Sequence, residues 1–273
     1  MWIDDLPAEL SRQRRVLAKL LAFAESTDNV RSFAVSCSLA RGAADELSDV
    51  DAALGVREGA VESVTDAVQA YLTQDADATG LLAHRFGRPD QPALRTFVQF
   101  ADSTQLDLVV LLAASRPGRT PDEVVLYDPD GRLTEQIVPG PDVVTAELVH
   151  EWAFLGWIAL ADAAKYLLRN SLWEAHFRLH EARDRVWALW AAAKGARYPV
   201  FGLSQVLDRD PADLPPGIDA TAADLDPTRL RDALRACLRC LDETSRLAAE
   251  RFDAKLPDGM AEYVTALWDA PIP

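Results

Sequence analysis

The chain has 273 residues, 49% of them hydrophobic and 26% charged, and a formal net charge of −15. That composition is ordinary for a soluble globular protein of one large or two modest domains. The acidic balance excludes a broad basic surface for gripping nucleic acid and suits a small, cationic partner. No apolar run reaches bilayer length, and the start "MWIDDLPAELSRQRRVLAKL" is charged and helical in pattern, so a cytoplasmic protein with no membrane partner is expected.

Residues 8–26 read as an amphipathic helix, with Leu10, Leu17, Leu20, Leu21 and Phe23 near helical spacing. "VRSFAVS" follows as a short strand, then "CSLARGAADEL" as a turn and short helix, and "SDVDAALGV" as a second strand. "GAVESVTDAVQAYLTQ" is helical, its Val61, Val64, Val68 and Tyr71 on one stripe. "LLAHRFG", "LRTFVQFAD" and "LDLVVLLA" read as strands, the last two joined by the turn "DSTQ". Helix, strand, helix, strand, helix, then strands predicts a mixed sheet with helices packed on it.

The Pro- and Gly-bearing stretch 115–142 reads as a connection holding a short strand and tight turn in "VVLYDPDGRL". From Val143 the pattern is helical. Two long helices, "AELVHEWAFLGWIALADAAKYLLRN" and "SLWEAHFRLHEARDRVWALWAAAKG", carry most of the tryptophans, which are expected in the core. Ser171 is the expected N-cap of the second, and Asp226-Pro227 opens a later helix. Cys237 and Cys240 in that later helix lack a second Cys or His pair at zinc-finger spacing and read as buried thiols. His176 and His180 stand four apart on one helix, but "HFRLH" lacks a catalytic glutamate, so ordinary helix histidines are expected.

The chemistry concentrates in "SCSLARGAADELSDVD", residues 36–51. A strand-to-helix junction offers free N–H groups and a helix dipole to an anion, Ser38 adds a hydroxyl and Arg41 a fixed charge. Asp49 and Asp51 then alternate on a strand, which points both carboxylates to one face about 7 Å apart. A lone D-x-D is ordinarily solvated loop. After a strand, a small-Ser turn and a helix, it is what a Mg²⁺-dependent phosphoryl-transfer site needs. Asp107, the one charge in "QLDLVVLLA", is the expected third carboxylate, as metal ligand and possible general base. Asp102, Asp45 and Glu46 are its alternatives.

"CSLARGAADELSDVDAAL" resembles the signature of the DNA-polymerase-β-like nucleotidyltransferases: Gly-Ser, variable residues with Arg-Gly, then Ser-Asp-x-Asp. The resemblance covers residues 37–51, and the strand order to about 115 agrees with that family's minimal catalytic domain. It implies Ser38 on nucleotide phosphates and Asp49, Asp51 and Asp107 on Mg²⁺. More loosely, the second half is similar to the helical domain of the aminoglycoside nucleotidyltransferases, which implies Lys165 as a triphosphate contact, with Arg169 a second cation. Cys37 stands where the family has glycine. Its side chain is tolerated there only at negative φ, and an oxidisable thiol beside the phosphates is a further reading.

The expectation is thus an α+β chain: a mixed-sheet nucleotidyltransferase domain, 1–125, followed by an all-helical acceptor-binding domain, 140–273. It would move a nucleotidyl group, AMP foremost, from Mg·NTP, ATP foremost, to a hydroxyl of a small molecule, with an aminoglycoside antibiotic the leading acceptor. Glu147 and Glu151 stand beside Asp107 as base candidates. An antitoxin-type protein nucleotidyltransferase and a non-catalytic nucleotide-binding member are the alternatives.

Overall fold

The computed structural model describes residues 2–74, 77–88, 91–137, 144–257 and 259–269. The chain forms two compact units, 1–139 and 140–273. The end of the expected connection, 138–142, and Val143 lie outside the described residues.

In the first unit, α1 (Ser11–Ser26) leads into β1 (Val30–Ser36), the short α2 (Cys37–Arg41), β2 (Val50–Val56), α3 (Val61–Leu72), β3 (Ala78–Arg88), β4 (Gln91–Phe100), β5 (Gln105–Leu112) and β6 (Glu123–Tyr127). Among the described residues these strands make one sheet in the order β3-β4-β5-β2-β1-β6. The two central strands, β2 and β5, run parallel and set Asp51 opposite Asp107, while the other neighbours are antiparallel. β6, within the stretch expected as a connection, pairs with the outer edge of β1 and so belongs to the sheet.

Period-2 alternation explains which face is the core. Val50, Ala52, Leu54 and Val56 of β2 and Leu106, Leu108 and Val110 of β5 are buried among Leu17, Leu20 and Phe23 of α1 and Val61, Val64 and Val68 of α3. The intervening residues, Asp51 and Ala53 on β2 and Asp107, Val109 and Leu111 on β5, take the opposite face and line a cavity of ≈ 350 Å³. The sheet therefore has one buried, helix-covered face and one face that carries Asp51 and Asp107 into a cavity.

The second unit is helical: α4 (Ala146–Leu168), α5 (Leu172–Ala193), α6 (Gly202–Arg209), α7 (Pro227–Phe252) and α8 (Met260–Asp269). Together the units give the α+β class: a mixed six-stranded sheet followed by a helical region. Trp152, Trp157, Trp187 and Trp190 are buried with Leu160, Leu179 and Leu234, whereas Trp173 is 75% exposed. At Gly156 a Cβ would meet Leu241 Cδ1 at 2.7 Å, so glycine is what lets α4 and α7 approach. Asp226 caps α7 by accepting from the Thr228 and Arg229 amides at 3.0 and 2.9 Å, ahead of Pro227 in the first turn. Ser171 does occupy the N-cap position of α5, but its hydroxyl donates to the Glu174 carboxylate and accepts no backbone N–H. Cys237 and Cys240 are buried. No helix among the described residues is long and apolar enough to cross a membrane.

Candidate active site

The site is assembled at the head of the two parallel strands. β1 delivers the chain to Ser36, α2 turns it, and Gly42 in the left-handed region (φ 71) ends that turn. The loop that follows is tied down from the core. Gln13 of α1, 1% exposed, donates Nε2 to the Ser48 carbonyl at 2.7 Å. Asp45 accepts from the Leu47 amide at 2.9 Å and the Ser48 hydroxyl at 3.1 Å, and Glu46 presents its carbonyl to Gln13 at 3.3 Å. Asp45 and Glu46 therefore shape the loop that leads to Asp49. Asp102 is likewise a turn residue, accepting from the Thr104 amide at 3.1 Å and from Arg15 at 2.5 Å.

Asp51, second residue of β2, and Asp107, third of β5, are direct partners across the parallel pair. Asp49 is exposed and lies one residue before β2 begins at Val50, so only Asp51 of the D-x-D is within a ladder. Asp51 nonetheless feels the charges of both others. The Asp51 carboxyl is pushed up to about 6, by burial first, then by the negative charge of Asp49 and of Asp107, against the Cys37 hydrogen bond and Arg95. A carboxylate buried beside two others favours a positive charge nearby, a demand that burial creates first.

Part of that demand is met by a residue the sequence reading passed over. Arg95 of β4 donates Nε to both Asp107 oxygens at 2.8 and 3.0 Å and Nη2 to Oδ2. In "LRTFVQFAD" a charge alternating with Phe97 on an apolar strand was the available signal. Its pairing with Asp107 needed the strand order. Arg116 and Glu123 form a second ion pair at 2.6 Å on the wall of the same cavity.

Cys37 adopts φ 59. The expectation that its side chain is tolerated through a negative φ is therefore corrected: the β1-to-α2 turn needs a left-handed residue, which is why glycine would be at home there. Cys37 is exposed as a residue, but its thiol hydrogen-bonds Asp51 and is pushed up to about 12, by desolvation of the sulfur first and then by the Asp51 charge, with Arg41 opposing. The shift favours the thiol over the thiolate at neutral pH. Glycine at this position removes the backbone strain but loosens the unfolded chain, and the two effects nearly cancel. Cys37→Gly is accordingly expected to keep its melting temperature within a few degrees of wild type, whereas Cys37→Val loses about 2 kcal/mol. Equal melting curves for Cys37→Val and wild type would contradict the left-handed assignment.

Ser38 and Arg41 lie on α2, beside the carboxylates in sequence, and the Arg41 charge reaches Cys37. The remaining predicted residues lie in the second unit. Lys165 on α4 pairs with Asp162 at 2.8 Å, which holds its ammonium above its ordinary value. Arg169 caps the end of that helix. Glu147 sits in the first turn of α4, where hydrogen bonds from its own amide and from Thr145 hold its carboxyl low, and Glu151 is exposed further along. Glu147 is therefore engaged at its helix terminus.

Asp49, Asp51 and Asp107 offer hard oxygens, the donor type Mg²⁺ takes, and burial first of all raises Asp51. The arrangement is not a closed coordination shell. Among the described residues, no group of three or more His, Cys, Asp or Glu side chains stands ready to hold a metal ion. Asp107 is instead engaged by Arg95, and Asp49 precedes the strand that carries Asp51.

No family model and no curated protein matches the chain. Among solved structures it is similar to an aminoglycoside 6-adenyltransferase from Bacillus subtilis, at 16% identity over 93% of this chain and 97% of that one, with a TM-score of 0.42.

Proposed function

We propose that the protein is a Mg²⁺-dependent nucleotidyltransferase that moves an NMP, AMP foremost, from NTP to a hydroxyl of a small acceptor and releases pyrophosphate. The observation that carries this reading is the placing of Asp51 opposite Asp107 at the head of two parallel central strands, with Asp49 two residues away and the β1–Cys37–Ser38 turn alongside. The metal, when bound, would neutralise the triphosphate and hold attacking and leaving oxygens in line. Asp49, Asp51 and Asp107 would hold it. Ser38 would donate its hydroxyl to a phosphate oxygen, with Arg41 a nearby positive charge and Lys165 a further triphosphate contact from the helical unit. Asp107, once free of Arg95, would accept the acceptor hydroxyl's proton. The helical unit would bind the acceptor, with an aminoglycoside the leading class because a chain of net charge −15 favours a polycation.

A second reading has an observation of its own. Arg95 already supplies a positive charge to Asp107, as a non-catalytic nucleotide-binding member would need in place of a metal. Transfer to a protein hydroxyl is the third reading, and the added helical unit speaks against it. The deciding measurement is pyrophosphate release from each NTP in Mg²⁺, with and without an aminoglycoside panel. The expected result is acceptor-dependent release that disappears with EDTA. NTP binding with no release for any acceptor would establish the non-catalytic reading.

A further inference from the structure

We infer that the cavity at the carboxyl ends of β2 and β5 is a binding site for a phosphate group, free or carried by a small molecule, held by Arg31, Arg57 and Arg132. The cavity encloses ≈ 530 Å³, within the range of small-ligand sites and larger than the cavity beside Asp51 and Asp107. Val56 and Leu112, the last residues of the two strands, line it together with Ala113 and Ala114. Val56 stands five residues after Asp51, roughly 17 Å along β2, so this site is separate from the carboxylates at the other end of the strand. It goes beyond the nucleotidyltransferase reading and does not rest on it.

Three elements bring the guanidiniums to this cavity. β1 bulges between Val30 and Ser32, which makes Arg31 the extra residue in its pairing with β2 and takes its side chain out of the regular alternation. Arg57 directly follows β2, where its amide donates to the Asn29 carbonyl at 3.0 Å. Arg132 comes from the turn after β6, which Asp128 braces by accepting from the Arg132 and Leu133 amides at 3.0 and 2.7 Å. In that turn Asp130 accepts from Arg31 Nε at 2.7 Å and lies 3.6 Å from Arg132 Nε. The Arg31 hydrogen bond first, and the Arg132 charge after it, hold the Asp130 carboxyl below its ordinary value. One carboxylate thus orients two guanidiniums and can neutralise only one of them. With Arg57 and Glu58 counted, the lining keeps an excess of one positive charge in a chain of net charge −15. The side chains of Arg31 and Arg132 are 24% and 49% exposed, which leaves N–H groups open to a ligand. Forked donors of this kind bind phosphate oxygens in pairs. Leu112, Ala113 and Ala114 offer an apolar wall to whatever the phosphate carries.

The test is isothermal titration calorimetry of the full chain with phenyl phosphate, inorganic phosphate and phenol as separate titrants. Phenyl phosphate is expected to bind and phenol is not. Tighter binding of phenyl phosphate than of inorganic phosphate assigns the site to an organic phosphate, and equal binding assigns it to the free ion. Arg57→Gln and Arg132→Gln are each expected to weaken phenyl phosphate about tenfold, the loss of one charge-assisted hydrogen bond. Arg57→Lys, which keeps the charge but loses the fork, should fall between wild type and Arg57→Gln. Arg57 and Arg132 are exposed, so these variants should melt with wild type. Arg229→Gln, which removes an exposed arginine paired with Asp224 in the helical unit, should leave binding unchanged. No saturable binding of either phosphate up to about 10 mM would overturn the site. So would undiminished binding by both Arg57→Gln and Arg132→Gln, or phenol binding as tightly as phenyl phosphate. An equal loss in Arg229→Gln would overturn it as well, by reducing the effect to overall charge.

Discussion

Asp51→Asn is expected to abolish turnover and, without metal, to make the protein harder to unfold. The first effect follows from the proposed function, in which Asp51 would supply an oxygen to the metal. A loss of at least about 10³-fold in turnover corresponds to roughly 4 kcal/mol of transition-state stabilisation. The second follows from the electrostatics. The Asp51 carboxyl is raised from an ordinary 3.8 to about 6, by burial and then by Asp49 and Asp107. The folded state thus holds this proton more tightly than the unfolded state does. Between roughly pH 4 and pH 6 the folded state binds more protons, so this group lowers stability as pH rises through that window and imposes its full penalty above it. The interval is worth up to roughly 3 kcal/mol, and an asparagine amide, itself polar, recovers about half. Thermal melts of wild type and Asp51→Asn at pH 8 in EDTA should show the variant higher by several degrees, with the gap closing below pH 4. Added Mg²⁺ should raise wild type and leave the variant unchanged. A variant that melts lower than wild type at pH 8 in EDTA would remove Asp51 from its place as the penalised carboxylate.

Glu123→Ala is expected to cost about 3 kcal/mol, roughly 10 °C in melting temperature, although Glu123 is remote from the carboxylate cluster in sequence. Glu123 accepts from Arg116 at 2.6 Å and from the Thr120 amide at 2.6 Å, and the two side chains of the pair are 12% and 10% exposed. Truncation leaves the Arg116 guanidinium enclosed and unpaired, at a place where its Nη1 already has no hydrogen-bond partner. The pair also ties the segment after β5 to β6, the strand that covers the outer edge of β1. Removing both charges tests the cause: Arg116→Met with Glu123→Leu should lie within about 1 kcal/mol of wild type. If that double variant is as unstable as Glu123→Ala, the loss comes from packing and not from a stranded charge.

The boundary between what was legible and what was not follows the range of the physics involved. The helical second half, the order of elements before it and the placing of Asp51 on a strand were readable because period 3.6 and period 2 are properties of a few adjacent residues. Asp107 was readable for the same reason, as one charge in an apolar run. Arg95 was passed over because its meaning lies in a partner on another strand. Nothing local says that β4 lies against β5, or that the register puts its guanidinium on Asp107. β6 was placed in the connection because "VVLY" is too short to declare its partner, and only the free edge of β1 gives it one.

The opening motif divides in the same way. Residue types and spacing alone were enough to place a serine turn and to put Asp51 and Asp107 on strands, since local sterics and alternation decide those; Asp49, expected to alternate with Asp51, precedes β2. Tertiary structure decided three other things. Asp51 and Asp107 became neighbours only because β2 and β5 pair in parallel with the β3–β4 hairpin excluded from between them. Cys37 was forced to φ 59 by the turn between β1 and α2. The charge of the cluster was set by burial, which raises Asp51, and by a guanidinium from a strand whose place no local pattern encodes. Electrostatic energies depend on who is near whom in space, and on how much water remains between them. That is information a chain acquires only by folding.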